Sequence, residues 1–181
     1  MALKLIIPPV EEPVETDPVK LTHMRVIDIG DDELDEAEES YITDLIATAR
    51  ELCEEHQNRA YLTQTWELWL DEWAPVITIP RPPLQSVVSI KYYDRENQEH
   101  VVDPSIYFVD TKSEPGRVIL NGGKSWPADI RQASGICITF VAGYADASQV
   151  PRRVKQAILL LAAEWYENRE ASTITGKASG D

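Results

Sequence analysis

The chain has 181 residues, with 17 Lys plus Arg against 31 Asp plus Glu, and a formal net charge of −14. This length suits one domain, or one domain carrying an inserted subdomain, and a hydrophobic share of 43% fits a globular chain and excludes wholesale disorder. The charge argues against a protein that grips nucleic acid through its phosphates or docks on an anionic membrane, because both need a basic face.

The acidity is unevenly spread. Residues 1–60 hold 16 acids and 5 bases, residues 61–149 hold 11 and 7, and residues 150–181 hold 4 and 5. The nets are −11, −4 and +1, so the excess belongs to the first third. Such runs most often form a solvated face that keeps a protein soluble. The sharper reading is an acidic surface that meets a basic partner or repels DNA. The longest uninterrupted apolar stretch, Ala157 to Ala163, is too short to span a bilayer. Met1 to Val10 lacks the basic start and cleavage site of a signal peptide.

In chain order, residues 1–15 read as an extended arm, because Pro8, Pro9 and Pro13 remove amide donors and fix the backbone. The apolar start of the arm, Leu3 to Ile7, is suited to lie against something. Thr16-Asp17-Pro18 signals a short first helix to about Arg25, followed by a turn over Asp28 to Asp32. A longer second helix carries Leu34, Ala37, Tyr41, Ile42, Leu45, Ile46, Ala49, Leu52, Cys53 and His56 at helical spacing and ends near Asn58. Acids crowd its first turns, where the helix dipole favours them.

From Tyr61 to Tyr144 the residues become β-branched and aromatic. Strands are expected at Trp66 to Leu70, Val76 to Ile79, Ser86 to Tyr93, Glu99 to Val102, Ile106 to Asp110, Arg117 to Leu120 and Ile136 to Ala142. The Asp94 to Gln98 turn predicts a hairpin. Pro151 then opens a third helix, apolar over Val154, Ala157, Ile158, Leu161, Ala162, Trp165 and Tyr166, with Leu159 and Leu160 widening that face. Residues 171–181 read as a flexible tail. The fold class is therefore α+β. A small helical core, residues 16–60 and 150–170, is built from two N-terminal helices and a long C-terminal one. A β-rich inserted subdomain, residues 61–149, lies between helices two and three.

A search for chemistry returns little. His23, His56 and His100 show no ligand spacing, and Cys53 and Cys137 lack a C-x-x-C context, so both cysteines read as small buried hydrophobes. The acids from Asp28 to Asp35 fail the calcium-loop register, because counting from Asp28 puts Glu33 where glycine is required. Asn121-Gly122-Gly123-Lys124-Ser125 lacks the first glycine of a phosphate loop and is followed by Trp126-Pro127, so it reads as a turn. No catalytic, cofactor or metal site is expected. Trp66 and Trp69 alternate along the strand, so one of that pair faces away from the first core, and interface burial is expected for Trp69. It is a candidate interface residue, together with Leu159, Leu160, Trp165, Tyr166, Arg169, Thr173 and Ile174. Asp31, Asp32, Glu33, Asp35 and Glu36 are the candidate acidic surface.

Several stretches in a fixed order resemble a known family. They are Leu3-Lys4-Leu5-Ile6 with Pro8-Pro9 and Glu11-Glu12-Pro13; Arg59 through Leu68; Pro80-Arg81-Pro82-Pro83 through Val87; Glu114-Pro115-Gly116-Arg117; Ser125-Trp126-Pro127; Ala142-Gly143-Tyr144; and the helix from Val150 to Glu170. Together they resemble the head–tail connector (neck adaptor, head-completion) proteins of tailed bacteriophages and prophages, in the branch with a β-rich insertion. The resemblance implies a structural virion protein and not an enzyme, made in the host cytoplasm and located at the neck. It implies a dodecameric ring under the portal, with the portal protein and the next neck or tail-completion protein as partners. It further implies that DNA passes through the channel without specific binding, with no membrane involved. Residues 171–181 would be an arm reaching the portal. The competing readings are an acidic protein-binding module and, more distantly, a small hydrolase.

Overall fold

The computed structural model describes residues 1–16 and 36–168. The expected short first helix, the turn at 28–32 and the tail from 171 onward lie outside these residues. The elements are β1 (Ala2–Ile7), α1 (Glu36–Gln57), β2 (Gln64–Leu70), β3 (Val76–Thr78), β4 (Leu84–Tyr93), β5 (Glu99–Val101), β6 (Tyr107–Asp110), β7 (Arg117–Leu120), β8 (Ile136–Ala142) and α2 (Arg152–Glu167). The fold is α+β. It divides into two compact units, Met1–Glu11 with Asn58–Gln149, and Glu12–Gln57 with Val150–Asp181.

The first unit holds two antiparallel sheets, ordered β1-β2-β8-β4-β5 and β3-β7-β6. Period-two alternation selects the buried side. Ile136, Ile138, Phe140 and Ala142 of β8 pack with Leu68 of β2 and Ile90 of β4. The same cluster takes in Ile77 and Val118 of the smaller sheet, so both sheets share one core. β4 and β5 form the expected hairpin, closed by the Asp94 carboxylate, which accepts from the amides of Glu96 and Gln98. Residues 2–7 pair with β2 as an edge strand. Leu3 alternates onto the core side and packs against it, which is why this proline-bounded segment becomes a strand.

The stretches between elements meet at one junction. The Ala60 amide donates to the Pro82 carbonyl, the Gly143 amide to the Pro83 carbonyl (2.8 Å), and the Tyr144 amide to the Tyr61 carbonyl. Gln85 Nε2 donates both to the Gly143 carbonyl and to Thr63 Oγ1. The Ile79 amide donates to the Gly116 carbonyl, and Arg59 pairs with Glu114 at 2.9 Å. Gly143 has φ +104°, and a Cβ there would run into the Leu62 carbonyl.

In the second unit α1 and α2 pack together. Ile42, Ile46 and Ala49 of α1 are buried, as are Val154, Ile158, Ala162 and Ala163 of α2. α1 ends where Asn58 takes a left-handed conformation (φ 51°), the usual helix stop. Pro151 precedes α2, and its carbonyl accepts the amides of Val154 and Lys155.

Replacing Gly143 by Ala is expected to destabilise the protein by roughly 1–3 kcal/mol or more, since both the φ and the space are wrong for a side chain. Gly122 has open space around its missing Cβ, so Gly122→Ala should stay within about 0.5 kcal/mol. Urea unfolding of the two variants against the parent measures the contrast.

Candidate interaction surfaces

α1 carries a buried ionic cluster. Arg50 donates through Nε to Glu12 at 2.9 Å and through Nη1 to Glu54 at 2.8 Å, and these side chains are 6%, 14% and 8% exposed. Burial pushes the Glu12 carboxyl above its ordinary value, against the pull of Arg50. Burial also works against the Arg50 charge, but the hydrogen bond and charge of Glu12 outweigh it and hold the guanidinium above its usual value. The cluster fastens residue 12 to the middle of α1. Sequence reading missed it. The spacing of Arg50 and Glu54, four residues apart on one helix, was its visible half, while Glu12 lies 38 residues away in a proline-rich stretch.

Tyr166 lies inside the helical unit. It is 6% exposed, its ring meets Tyr41 at 6.4 Å, and its hydroxyl donates to Glu38 at 2.8 Å. It is thus a core residue here and not part of the surface for which it was a candidate, because the α1–α2 contact already covers it. Leu159 and Trp165 are half-buried and Leu160 is 60% exposed. Of the candidate acidic surface, Glu36 is exposed in the first turn of α1. Asp31, Asp32, Glu33, Asp35, Arg169, Thr173 and Ile174 lie outside the described residues.

Trp69, of the alternating pair with Trp66, sits on the face of the larger sheet opposite the core. There it stacks on Tyr93 at 5.9 Å and donates through Nε1 to Glu67 at 3.1 Å. The Arg131 guanidinium lies 4.4 Å over the other partner, Tyr93. The chain therefore supplies part of the cover that Trp69 needs. On the smaller sheet, Val76, Ile119 and Phe108 stand in one cross-strand row, with Val76 and Phe108 46% and 59% exposed. Beside that row Asp110 is held down to about 2, first by its hydrogen bond to Arg117 and then by the Lys112 amide.

Among the described residues, reactive groups are not assembled into a site. Burial raises the Cys137 thiol to about 11, which disfavours the nucleophilic thiolate. Neither Cys53 nor Cys137 forms a disulfide. Among the described residues no group of three His, Cys, Asp or Glu could hold a metal ion, and no helix is long and apolar enough to cross a membrane.

A family model described as Phage gp6-like head-tail connector protein matches residues 127–181. A chain in the neck of an empty GTA particle, computed with C6 symmetry, is 23% identical and has a TM-score of 0.77, covering 99% of this chain and 88% of that one. A chain in the virion of a native gene transfer agent (GTA) particle matches with a TM-score of 0.74 at 23% identity, covering 100% and 89%. A chain in the neck of a native GTA particle computed with C12 symmetry gives 0.63 at 23% identity, covering 100% and 88%. No curated protein sequence matches. The resemblance to the head–tail connector family read from the sequence is borne out, and the fold as a whole is shared with chains of these particles.

Exchanging Arg50 for Met should cost about 3–5 kcal/mol at pH 7, because it leaves two buried carboxylates facing each other without a cation. The loss should shrink near pH 5. In the variant those carboxylates bind protons more tightly folded than unfolded, so the folded state gains relative stability as pH falls through that range. Denaturant titrations of parent and variant at the two pH values provide the comparison.

Proposed function

We propose that this protein is a structural component of the neck of a tailed phage or related particle. In this reading it forms a ring, dodecameric to match the portal, that extends the DNA channel and completes the head for tail attachment. The observation that carries it is the fold match over 99–100% of the chain to chains of neck and virion structures, two of them necks computed with C6 and C12 symmetry. The connector family model adds a match over the stretch containing α2.

The finer parts extend this proposal. The helical unit is the family's core, and the β unit is the insertion carried between its helices. The portal protein and the next neck or tail-completion protein are the partners. The protein is no enzyme, works in the virion neck, and is made in the bacterial host cytoplasm. Its acidity suits a channel wall, since a duplex slides past a surface that makes few Lys/Arg–phosphate contacts.

Particles assembled without this protein should appear in negative stain as heads and tails that are not joined. Intact tails attached to DNA-filled heads in the protein's absence would overturn the assignment.

A further inference from the structure

Cations are scarce in this chain, and most arginines among the described residues are engaged. Among the described residues Arg50, Arg59, Arg95 and Arg117 are in ion pairs, while Arg81 and Arg131 lie over aromatic rings. Arg152 and Arg153 differ. They are exposed at the start of α2, beside Lys155, with no acid in the first turn and no carboxylate of the described residues within ion-pairing distance. A cation at a helix N-terminus also opposes the helix dipole, so α2 itself gives no reason for this placement. Arg153, Ala157 and Leu160 follow at spacings of four and three, which puts them on one face, and Leu160 is 60% exposed.

α1 displays the complement. Tyr41, Asp44, Thr48, Leu52 and Glu55 recur at spacings of three and four along one outward face. Asp44 and Glu55 are exposed and outside any ion pair among the described residues, and Leu52 is 47% exposed. Each helix thus presents an exposed leucine beside unpaired charge, positive on α2 and negative on α1. An apolar centre with a charged rim is the ordinary anatomy of a protein interface.

We infer that the Arg152–Arg153–Leu160 face of α2 docks on the Asp44–Leu52–Glu55 face of α1 in a second copy of this chain. The two faces differ, so the contact is head-to-tail, the kind that closes into a ring when the rotation allows. The inference rests on the ring reading above and names the surface that would build the ring. Charge complementarity selects a second copy over DNA, because the patch sits in a unit whose other helix carries the matching acids.

A charge swap on the full chain tests this. Sedimentation velocity across a concentration series reads assembly for the parent, for Arg152→Glu/Arg153→Glu, and for Asp44→Lys/Glu55→Lys. Circular dichroism confirms that the variants, altered only at exposed positions, remain folded. Each variant alone should need at least tenfold higher concentration to assemble, and raising salt should weaken the parent. An equimolar mixture of the two variants should recover assembly, because each reversed face then meets its complement. A variant that assembles like the parent, or a mixture that fails to recover, overturns the inference and leaves the ring reading standing. So does a result in which Arg152→Glu/Arg153→Glu assembles normally but loses binding to a 30-base-pair duplex, which would make DNA phosphate the occupant. A parent chain that stays monomeric at every concentration, and also with the portal protein of its own particle, removes the ring reading itself.

Discussion

The β unit depends on a junction that a side chain at residue 143 would break. The chain leaves β8 at Gly143 with its backbone pressed against the Leu62 carbonyl, and its amide is spent on Pro83. The approaches to β2 and β4 and the exit from β8 are thereby held at one place, although they lie about twenty and sixty residues apart in sequence. Strand pairing does the rest. With β8 between β2 and β4, each register puts Leu68, Ile90 and Ile138 on the same side, and a slip of one residue would turn all of them outward. The segments by which the sequence resembles the connector family, Arg59 to Leu68, Pro80 to Val87, Glu114 to Arg117 and Ala142 to Tyr144, are the segments that converge here. Their order along the chain is informative because it encodes this convergence.

The helical unit is organised differently. It places an arginine and two carboxylates where a core of this size would ordinarily hold aliphatic residues. Desolvating such a set is expensive, and an apolar replacement of matched shape is often no less stable. What the cluster supplies is geometry. A guanidinium offers its donors in a fixed planar fork, so Glu12 and Glu54 must approach Arg50 from defined directions. The residue just after Pro8-Pro9 and Glu11 is thus fixed in position on α1 by directional bonds, where apolar contacts would allow sliding.

Much of the secondary structure was legible because it is periodic. All seven strands from residue 61 onward, the hairpin, and the spans of α1 and α2 follow from alternation, helical spacing, proline and asparagine stops. Beyond that hairpin, pairing partners were not legible, since alternation states which side a residue faces and not which strand lies beside it. β1 shows the limit: Leu3 to Ile7 reads as apolar and extended, but only the register with β2 makes it a strand. Among the surface candidates, alternation put one of Trp66 and Trp69 on the outer face, yet the stacking of Trp69 on Tyr93 joins residues 24 apart through the sheet. Tyr166 was assigned to a surface because its helix is apolar on most sides, and periodicity cannot tell which of those sides meets α1. The Arg50 cluster was invisible because charged residues in a helix are ordinarily solvated, and its burial depends on a residue from another segment.

The charge of −14 acquires a more specific meaning from the ion pairs. Net charge alone counts 17 cations available to phosphate. The structure ties Arg59, Arg95 and Arg117 to carboxylates of the β unit and buries Arg50 inside the helical one. Each such pair withdraws a cation from any polyanion nearby, while Glu36 and Glu39 in the first turn of α1 stay exposed. A duplex near this protein would find few free guanidinium groups and many uncompensated carboxylates. Attraction through counterion release scales with the number of phosphates neutralised, so locking arginines into internal pairs lowers it more than composition suggests. Such an arrangement suits the proposed neck role, in which the protein would lie close to DNA in motion without holding it. On this argument the two unpaired arginines at the start of α2 are better placed at a contact between subunits than on a wall the duplex must pass.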